Sequence, residues 1–423
     1  VDGTTYTTVV DALKKDYLPS LAKQIENKVK TWDIFEKTSE GVKGRDIYLK
    51  MFRFFPQGVG PAAAGELLPT PSAAGYAEAK VSAKRNYAVV QFDAMLDEDK
   101  TAIVDIIDFE MQAAEESLQK ELNFQLAFGD GTGSRGEVAS SSDSDASYGN
   151  QPTVTFDAGT NKDYTGHEID FFYENMKLDI YDGLTNTKRE ALGYTVKAVY
   201  RSAKVVVLVA GDTPFSDGVA DGDNAYRQGS KDLTMQGIPG VVNKAGTLQT
   251  VDPTAEGYGW WTSYDKDKGA KWGTGDADFL DSIQETIEEI EMNSIGKINL
   301  IYAVPLFMRQ YRYAMEAKRR IVNTLDFKEG RKGLAYVTEE GEISLMRDKY
   351  LPHKKVYFLD TDRLAIKTLK GLHWEDRSGG ILRILERRDI YTGWMKLYSE
   401  FATTTRNAHG YWWNCPTIVG DYT

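Results

Sequence analysis

Four histidines, His167, His353, His373 and His409, are the side chains best suited to hold a metal or move a proton near neutral pH. They lie far apart in the chain, and His167-Glu168 lacks the second histidine that a zinc protease helix requires. Cys415 is the single cysteine, so no intrachain disulfide can form and a reducing compartment fits. As a nucleophile it would need a base, and His409 is near it in sequence only. Gly131-Thr132-Gly133-Ser134-Arg135-Gly136 has the outline of a nucleophile elbow, but Thr132 stands where that motif needs glycine, and a helix, not a strand, precedes it. A dinucleotide loop also fails here, because it needs a strand before its glycines and a helix after them. Asp265, Asp267 and Gly269 open like a calcium loop, then break at the fifth position, Gly269, and at the twelfth, where Asp276 replaces glutamate. No catalytic, cofactor or metal residue is assigned, and no enzyme is expected.

Aromatic residues offer a different chemistry. Trp260, Trp261 and Trp272 could stack on sugar rings, which makes a carbohydrate-binding or carbohydrate-active protein built on the Trp260/Trp261 region the alternative reading. A glycosidase also needs two carboxylates at a defined separation, and nothing in the sequence shows which acids would meet. Trp412 and Trp413 alternate in a strand pattern, which puts at least one of them in a core.

The elements that would position these residues are more informative. Asp46 to Phe55 and Ala77 to Phe92 mix alternation with β-branched and aromatic residues, as strands do, around a Gly/Ala/Pro-rich tip from Pro56 to Gly75. Ten strand residues rise roughly 33 Å, and an isolated hairpin is marginal in water. Met51, Phe54, Phe55, Leu67, Leu68, Tyr76 and Tyr87 therefore need cover, either from the hairpin folding back on its own domain or from another chain. A helix over 97–128 follows. Asp97, Glu98 and Asp99 occupy its first turn, and Ile103, Ile107, Met111, Ala114, Leu118, Leu122 and Leu126 recur at spacings of three or four. Glu110, Glu115, Glu116 and Glu121 fall between them, and Gly129, Asp130, Gly131 and Gly133 form the turn that ends the helix.

The hairpin, the helix and then Leu126-Ala127-Phe128-Gly129-Asp130-Gly131-Thr132-Gly133 with Gly136 resemble the major capsid proteins of tailed bacteriophages, which have the Hong Kong 97-type fold. Asn299 to Val304 running into Leu306 to Arg320 is similar to the family's axial strand and helix, and Arg388 to Phe401 to its closing strands. The resemblance implies an α+β fold with an N-terminal arm at 1–44, an extended hairpin loop at 45–93, and a peripheral domain at 94–190 and 375–408 carrying the spine helix 97–128. The axial domain would be 191–374 and 409–423. It further implies a structural subunit, without cofactor, that assembles with identical subunits as hexamers and pentamers of an icosahedral shell. Met51, Phe54, Phe55, Leu67, Leu68, Tyr76 and Tyr87 would be its assembly contacts. Scaffolding, portal and decoration proteins would be further partners. The shell would form in the host bacterial cytoplasm, enclose the phage genome without sequence-specific binding, and become part of the virion. An encapsulin-like compartment is a close cousin of that reading.

Composition agrees with such a role. The chain has 423 residues, 41% of them hydrophobic, enough for more than one core. Its formal net charge of -12 argues against a dedicated nucleic-acid binder. The first thirty residues are charged throughout and no apolar run reaches about twenty residues, so neither signal peptide nor membrane span is read. Elsewhere the pattern predicts an N-terminal helix over Tyr6 to Lys30, an exposed Ser/Asp-rich loop over Glu137 to Tyr148, and a buried strand or helix end within Ala198 to Ala210. A second amphipathic helix carries Phe279, Ile283, Ile287 and Ile290, and Ile381 to Ile390 pairs with Gly393 to Ala402. Helices and strands mix without a βαβ rhythm, which itself reads as α+β.

Overall fold

The computed structural model describes residues 30–44, 46–54, 56, 58–61, 70, 73–93, 102–159, 164–269, 271–272, 276–317, 324–326, 332–338, 341–375, 383–384 and 390–417. The expected helix from Tyr6, the acidic first turn Asp97 to Asp99, and Phe55, Leu67 and Leu68 lie outside these residues.

The hairpin forms from Asp46–Phe54 and Gly75–Ser82, antiparallel, with the short strand Val42–Lys43 on its other edge. Alternation sorts its faces. Ile47, Leu49, Met51, Ala77, Ala79 and Val81 point inward and are buried, while Lys50, Tyr76, Glu78, Lys80 and Ser82 point out. The inner face is covered by the same chain. It belongs to the main core with Leu248, Val251 and Trp261, and the Lys80 amide donates to the Gln249 carbonyl at 3.2 Å. Met51, expected to need an outside partner, is thus buried at home.

The return limb also differs from its single expected strand. Buried positions are odd-numbered through Val81 and even-numbered at Asn86 and Val90, and the phase change at Ala83 marks where the chain leaves the hairpin. Lys84–Asp93 joins a second sheet, pairing residue for residue with Ile390–Thr403 from Lys84↔Ser399 to Asp93↔Ile390. Leu364–Trp374 lies on the other side of Ile390–Thr403, so the expected domain division at 374/375 falls between segments of one sheet. The short strand Arg383–Ile384 pairs with Thr392 and Tyr391, just before the expected partner Gly393 to Ala402, and Ile390 itself belongs to the long strand Ile390–Thr403.

The helix Ala102–Ala127 has 26 residues and runs about 39 Å at 1.5 Å per residue. Met111, Leu118, Leu122 and Leu126 are buried at the predicted spacing. Glu115 and Glu121, which the sequence sets between the apolar positions, are buried as well. Gln119 donates to Glu115 at 2.7 Å, and an ion network described below holds Glu121.

After the helix comes a closed six-stranded barrel: Ser134–Asp145, Gln151–Asp157, Lys177–Tyr181, Tyr194–Tyr200, Val205–Leu208 and Asn224–Arg227. The loop expected over Glu137 to Tyr148 is therefore mostly strand, closed by a short 3-10 turn at Ala146–Tyr148. Its serines and aspartates face outward at the far end, whereas Glu137 and Val138 are buried near the start. The segment Ala198 to Ala210 is a hairpin turning at Lys204, with φ 57°. Val138, Phe156, Ile180, Val196 and Val206 fill the barrel. Its strands stand on both sides of the expected division at 190/191.

A seven-stranded mixed sheet carries Leu300–Ala303 at its centre. The helices Asp276–Asn293 and Pro305–Ala317 cover one side through Phe279, Ile283, Ile287, Ile290 and Phe307, which pack on Ile301, Phe358 and Trp412. No helix of the described residues is long and apolar enough to cross a membrane.

Candidate functional site

With the hairpin's inner face covered, its outer end is what remains open. A bulge between Phe52 and Phe54 shifts the register so that Phe54 pairs with Gly75. The Phe54 ring lies over Gly75, where an added Cβ would come within 2.2 Å of it. Phe54 is 51% exposed, Tyr76 71% and Val59, further along the tip, 85%. Arg53 fixes this end to the body: its Nε donates to the Gly257 carbonyl at 3.2 Å and its guanidinium stacks 4.8 Å from the Tyr258 ring.

A second apolar patch lies on the edge strand Lys84–Asp93. Tyr87 is 47% exposed and Val89 52%, on the same face two residues apart. Tyr87 meets Tyr398 edge-on at 6.1 Å between ring centroids, and their hydroxyls are 3.3 Å apart. A groove of about 420 Å³ runs beside them, between Asn86 to Val89 and the small residues Ala113, Ala114 and Ser117 of the long helix. Of the sequence-predicted contacts, then, Phe54 and Tyr76 share one exposed end, Tyr87 sits on a separate patch, and Met51 is interior. Val59 and Val89, exposed beside them, are not among the residues named from the sequence, although Val89 follows Tyr87 at the strand period of two.

A buried charge network holds the long helix to the barrel. Glu121 pairs with Arg135 and, at 3.1 Å, with Arg227, and accepts from Gln125 Nε2 at 3.0 Å. Burial pushes the Glu121 carboxyl upward, but Arg135, Arg227 and the two side-chain hydrogen bonds outweigh it and bring it below its ordinary value. Arg135 also stacks 4.4 Å from the Phe124 ring.

The glycine turn completes the junction. Gly131 and Gly133 have φ of 90° and 82°, the region glycine tolerates. Asp130 Oδ1 accepts from the Thr132 amide at 3.0 Å and its hydroxyl at 2.6 Å. Asp130 pairs with Gln236 in an isolated bridge, and the Gln236 amide donates to Glu400 Oε1 at 2.7 Å.

Glu400 and His409 are two buried groups whose protonation acts on stability in opposite directions. Desolvation raises Glu400 from 4.5 to about 8, and it lowers His409, which also faces Arg363, from 6.5 to about 3. Glu400 is protonated when folded, so its contribution is complete below pH 4.5 and is lost as pH rises through 8. His409 is neutral when folded, so its contribution is complete above pH 6.5 and is lost as pH falls towards 3. Between pH 4.5 and 6.5 the two slopes oppose each other. Above that window Glu400 acts alone, and denaturant titration should show a loss of about 2 kcal/mol from pH 6.5 to 8. Glu400→Gln should flatten that limb; an unchanged slope would count against the assignment.

The other chemical candidates are structurally committed. Trp261 is fully buried, with its indole N–H donating to the Leu248 carbonyl at 3.3 Å, and Trp272 and Trp412 are core residues. The stacking platform expected of a sugar site at Trp261 is therefore not available. Asp265 pairs with Lys244 at 2.7 Å, and Asp267 accepts from the Gly269 amide. Cys415 is buried between helices and sheet, while both ring nitrogens of His409 are engaged by the Asp360 amide and Thr403 Oγ1. His167 and His353, far apart in sequence, meet with ring centroids 4.4 Å apart, and His167 Nε2 lies 2.8 Å from the Leu351 carbonyl. No cluster of three or more His, Cys, Asp or Glu able to hold a metal occurs among the described residues.

No family model matches the chain, and no curated protein matches it. Similar solved structures exist at low identity. The cyanophage A-1(L) capsid asymmetric unit is 11% identical, with 94% of this chain and 93% of that one covered and a TM-score of 0.49. The holo-SrpI encapsulin complex from Synechococcus elongatus is 10% identical, with 100% and 96% covered and a TM-score of 0.43. The capsid of Myoviridae phage XM1 is 6% identical, with 90% and 89% covered and a TM-score of 0.42.

Proposed function

We propose that this chain is a structural subunit that associates with copies of itself into a closed shell, the major capsid protein of a tailed phage. The observation that carries the reading is the pair of separate apolar patches. One, at the end of the hairpin, holds Phe54, Tyr76 and Val59; the other, on the edge strand, holds Tyr87 and Val89. Two different patches on one subunit suit a heterologous contact, in which the hairpin end of one copy meets the edge strand of the next. Such contacts close into rings or continue into larger assemblies. Each covers little area, but a shell repeats it for every subunit.

The rest of the fold serves that contact. Arg53 and the Lys80 amide hold the hairpin at a set angle, and the long helix, locked to the barrel through Glu121, Arg135 and Arg227, stiffens the wall. The segment before Lys30 is proposed as the arm that reaches another neighbour, with hexamers and pentamers as the capsomers and DNA enclosed without sequence-specific contacts. No bond is made or broken in this role. Expression of the chain, with a scaffolding partner where one is required, followed by negative-stain microscopy, tests it.

A further inference from the structure

A cleft of about 560 Å³ lies between the long helix and the start of the helix Pro305–Ala317. Lys120, Arg347 and Lys349 line it, and all three are exposed. Lys120 and Arg347 have no carboxylate partner among the described residues. Two carboxylates share the lining, Glu116 and Asp348. Asp348 is turned to interior partners, accepting from the Tyr302 hydroxyl at 2.7 Å and the Tyr350 amide at 2.9 Å. Glu116 alone is left to oppose the cations.

Two further features point to an anionic ligand. Pro305 opens its helix in the cleft wall, so the unpaired amides of that first turn present the positive end of the helix dipole there. Asn123 also lines the cleft, is only 8% exposed, and its side-chain amide has no hydrogen-bond partner among the described residues. The amide is not among the fully buried unsatisfied groups, so the little of Asn123 that is open faces the cleft and is a donor free to meet a ligand there.

We propose that this cleft binds a phosphate-class oxyanion. A guanidinium, two ammonium groups, a side-chain amide and a helix N-terminus, drawn from three chain segments, offer more donors than one carboxylate can accept. A tetrahedral dianion has the oxygens to use them. The phosphate could come from a free small molecule or from a nucleic-acid backbone. This inference does not depend on the shell reading, and binding is measured separately from particle formation.

The test is calorimetric titration of the full chain with inorganic pyrophosphate, repeated in competition with a short single-stranded oligodeoxynucleotide. Saturable binding is expected, weakened at least about tenfold in the Lys120→Ala/Arg347→Ala double variant and unchanged in Lys43→Ala, which alters an exposed lysine at the hairpin base. Asn123→Asp, placing a carboxylate against the ligand, should abolish it. Competition by the oligonucleotide would identify backbone phosphate as the source, and its absence a free phosphate. No saturable pyrophosphate binding, or equal affinity in the double variant, overturns the proposal.

Discussion

Replacing Phe54 and Tyr76 together with serine should abolish particle formation while leaving a folded subunit. Both side chains stand exposed at the hairpin end, so neither contributes much to the fold itself, and surface changes of this kind usually shift stability by no more than about 0.5 kcal/mol. In the assembled state they would be covered. Burying a large apolar side chain contributes about 1.5–3 kcal/mol, so losing two weakens each subunit contact by roughly 3 kcal/mol, about a hundredfold in its dissociation constant. Repetition around a shell multiplies that loss. Leu184→Ser is the control, because Leu184 is more open still but lies on a barrel loop, just after the strand Lys177–Tyr181, and not in the hairpin. The proposed contact fails if the double variant forms particles at the same threshold concentration as the unaltered chain, or if the Leu184 change is just as damaging.

Arg135→Ala should be the most damaging single change to the fold. It leaves Glu121 buried with Arg227 as its remaining cation and removes the guanidinium from the Phe124 ring. Removing one partner of a buried pair typically costs about 3–5 kcal/mol, since the other charge is stranded. Urea unfolding should show that loss, and Arg135→Lys should recover part of it by restoring the charge without the planar fork. Because the Glu121 carboxyl is held below its ordinary value when folded, its contribution is present above that value and is lost as pH falls. The difference between wild type and Arg135→Ala should therefore shrink in acid. A loss under about 1 kcal/mol at neutral pH would mean the network does not join helix to barrel as described.

The sequence made the long helix, its glycine turn, the helix Asp276–Asn293 and the strand-to-helix passage into Pro305–Ala317 legible, because each rests on local periodicity or on glycine chemistry. The barrel was not legible. The outward serines and aspartates of Ser134–Asp145 have the composition of a loop, and what makes them strand is pairing of Ser140 to Asp145 with Gln151–Asp157, while Asn224–Arg227, far along the chain, pairs with Ser134 to Glu137. The hairpin was read correctly as paired strands but not as to its cover, since the residues that meet its inner face, around Gln249 and Trp261, lie some way off in sequence. The phase change at Ala83 was a visible sign that one limb is two strands. Nothing local in the sequence shows that Glu121 and Arg135 face each other inside.

The central claim is that copies of this chain complete one another, and the mass of the product tests it most directly. Sedimentation of the full-length chain, expressed alone and with a scaffolding partner, should show a species of many subunits that negative-stain images resolve as closed, even-sized particles. A chain that stays monomeric under every such condition, still folded and with the Phe54 and Tyr76 end open to solvent, would contradict the account.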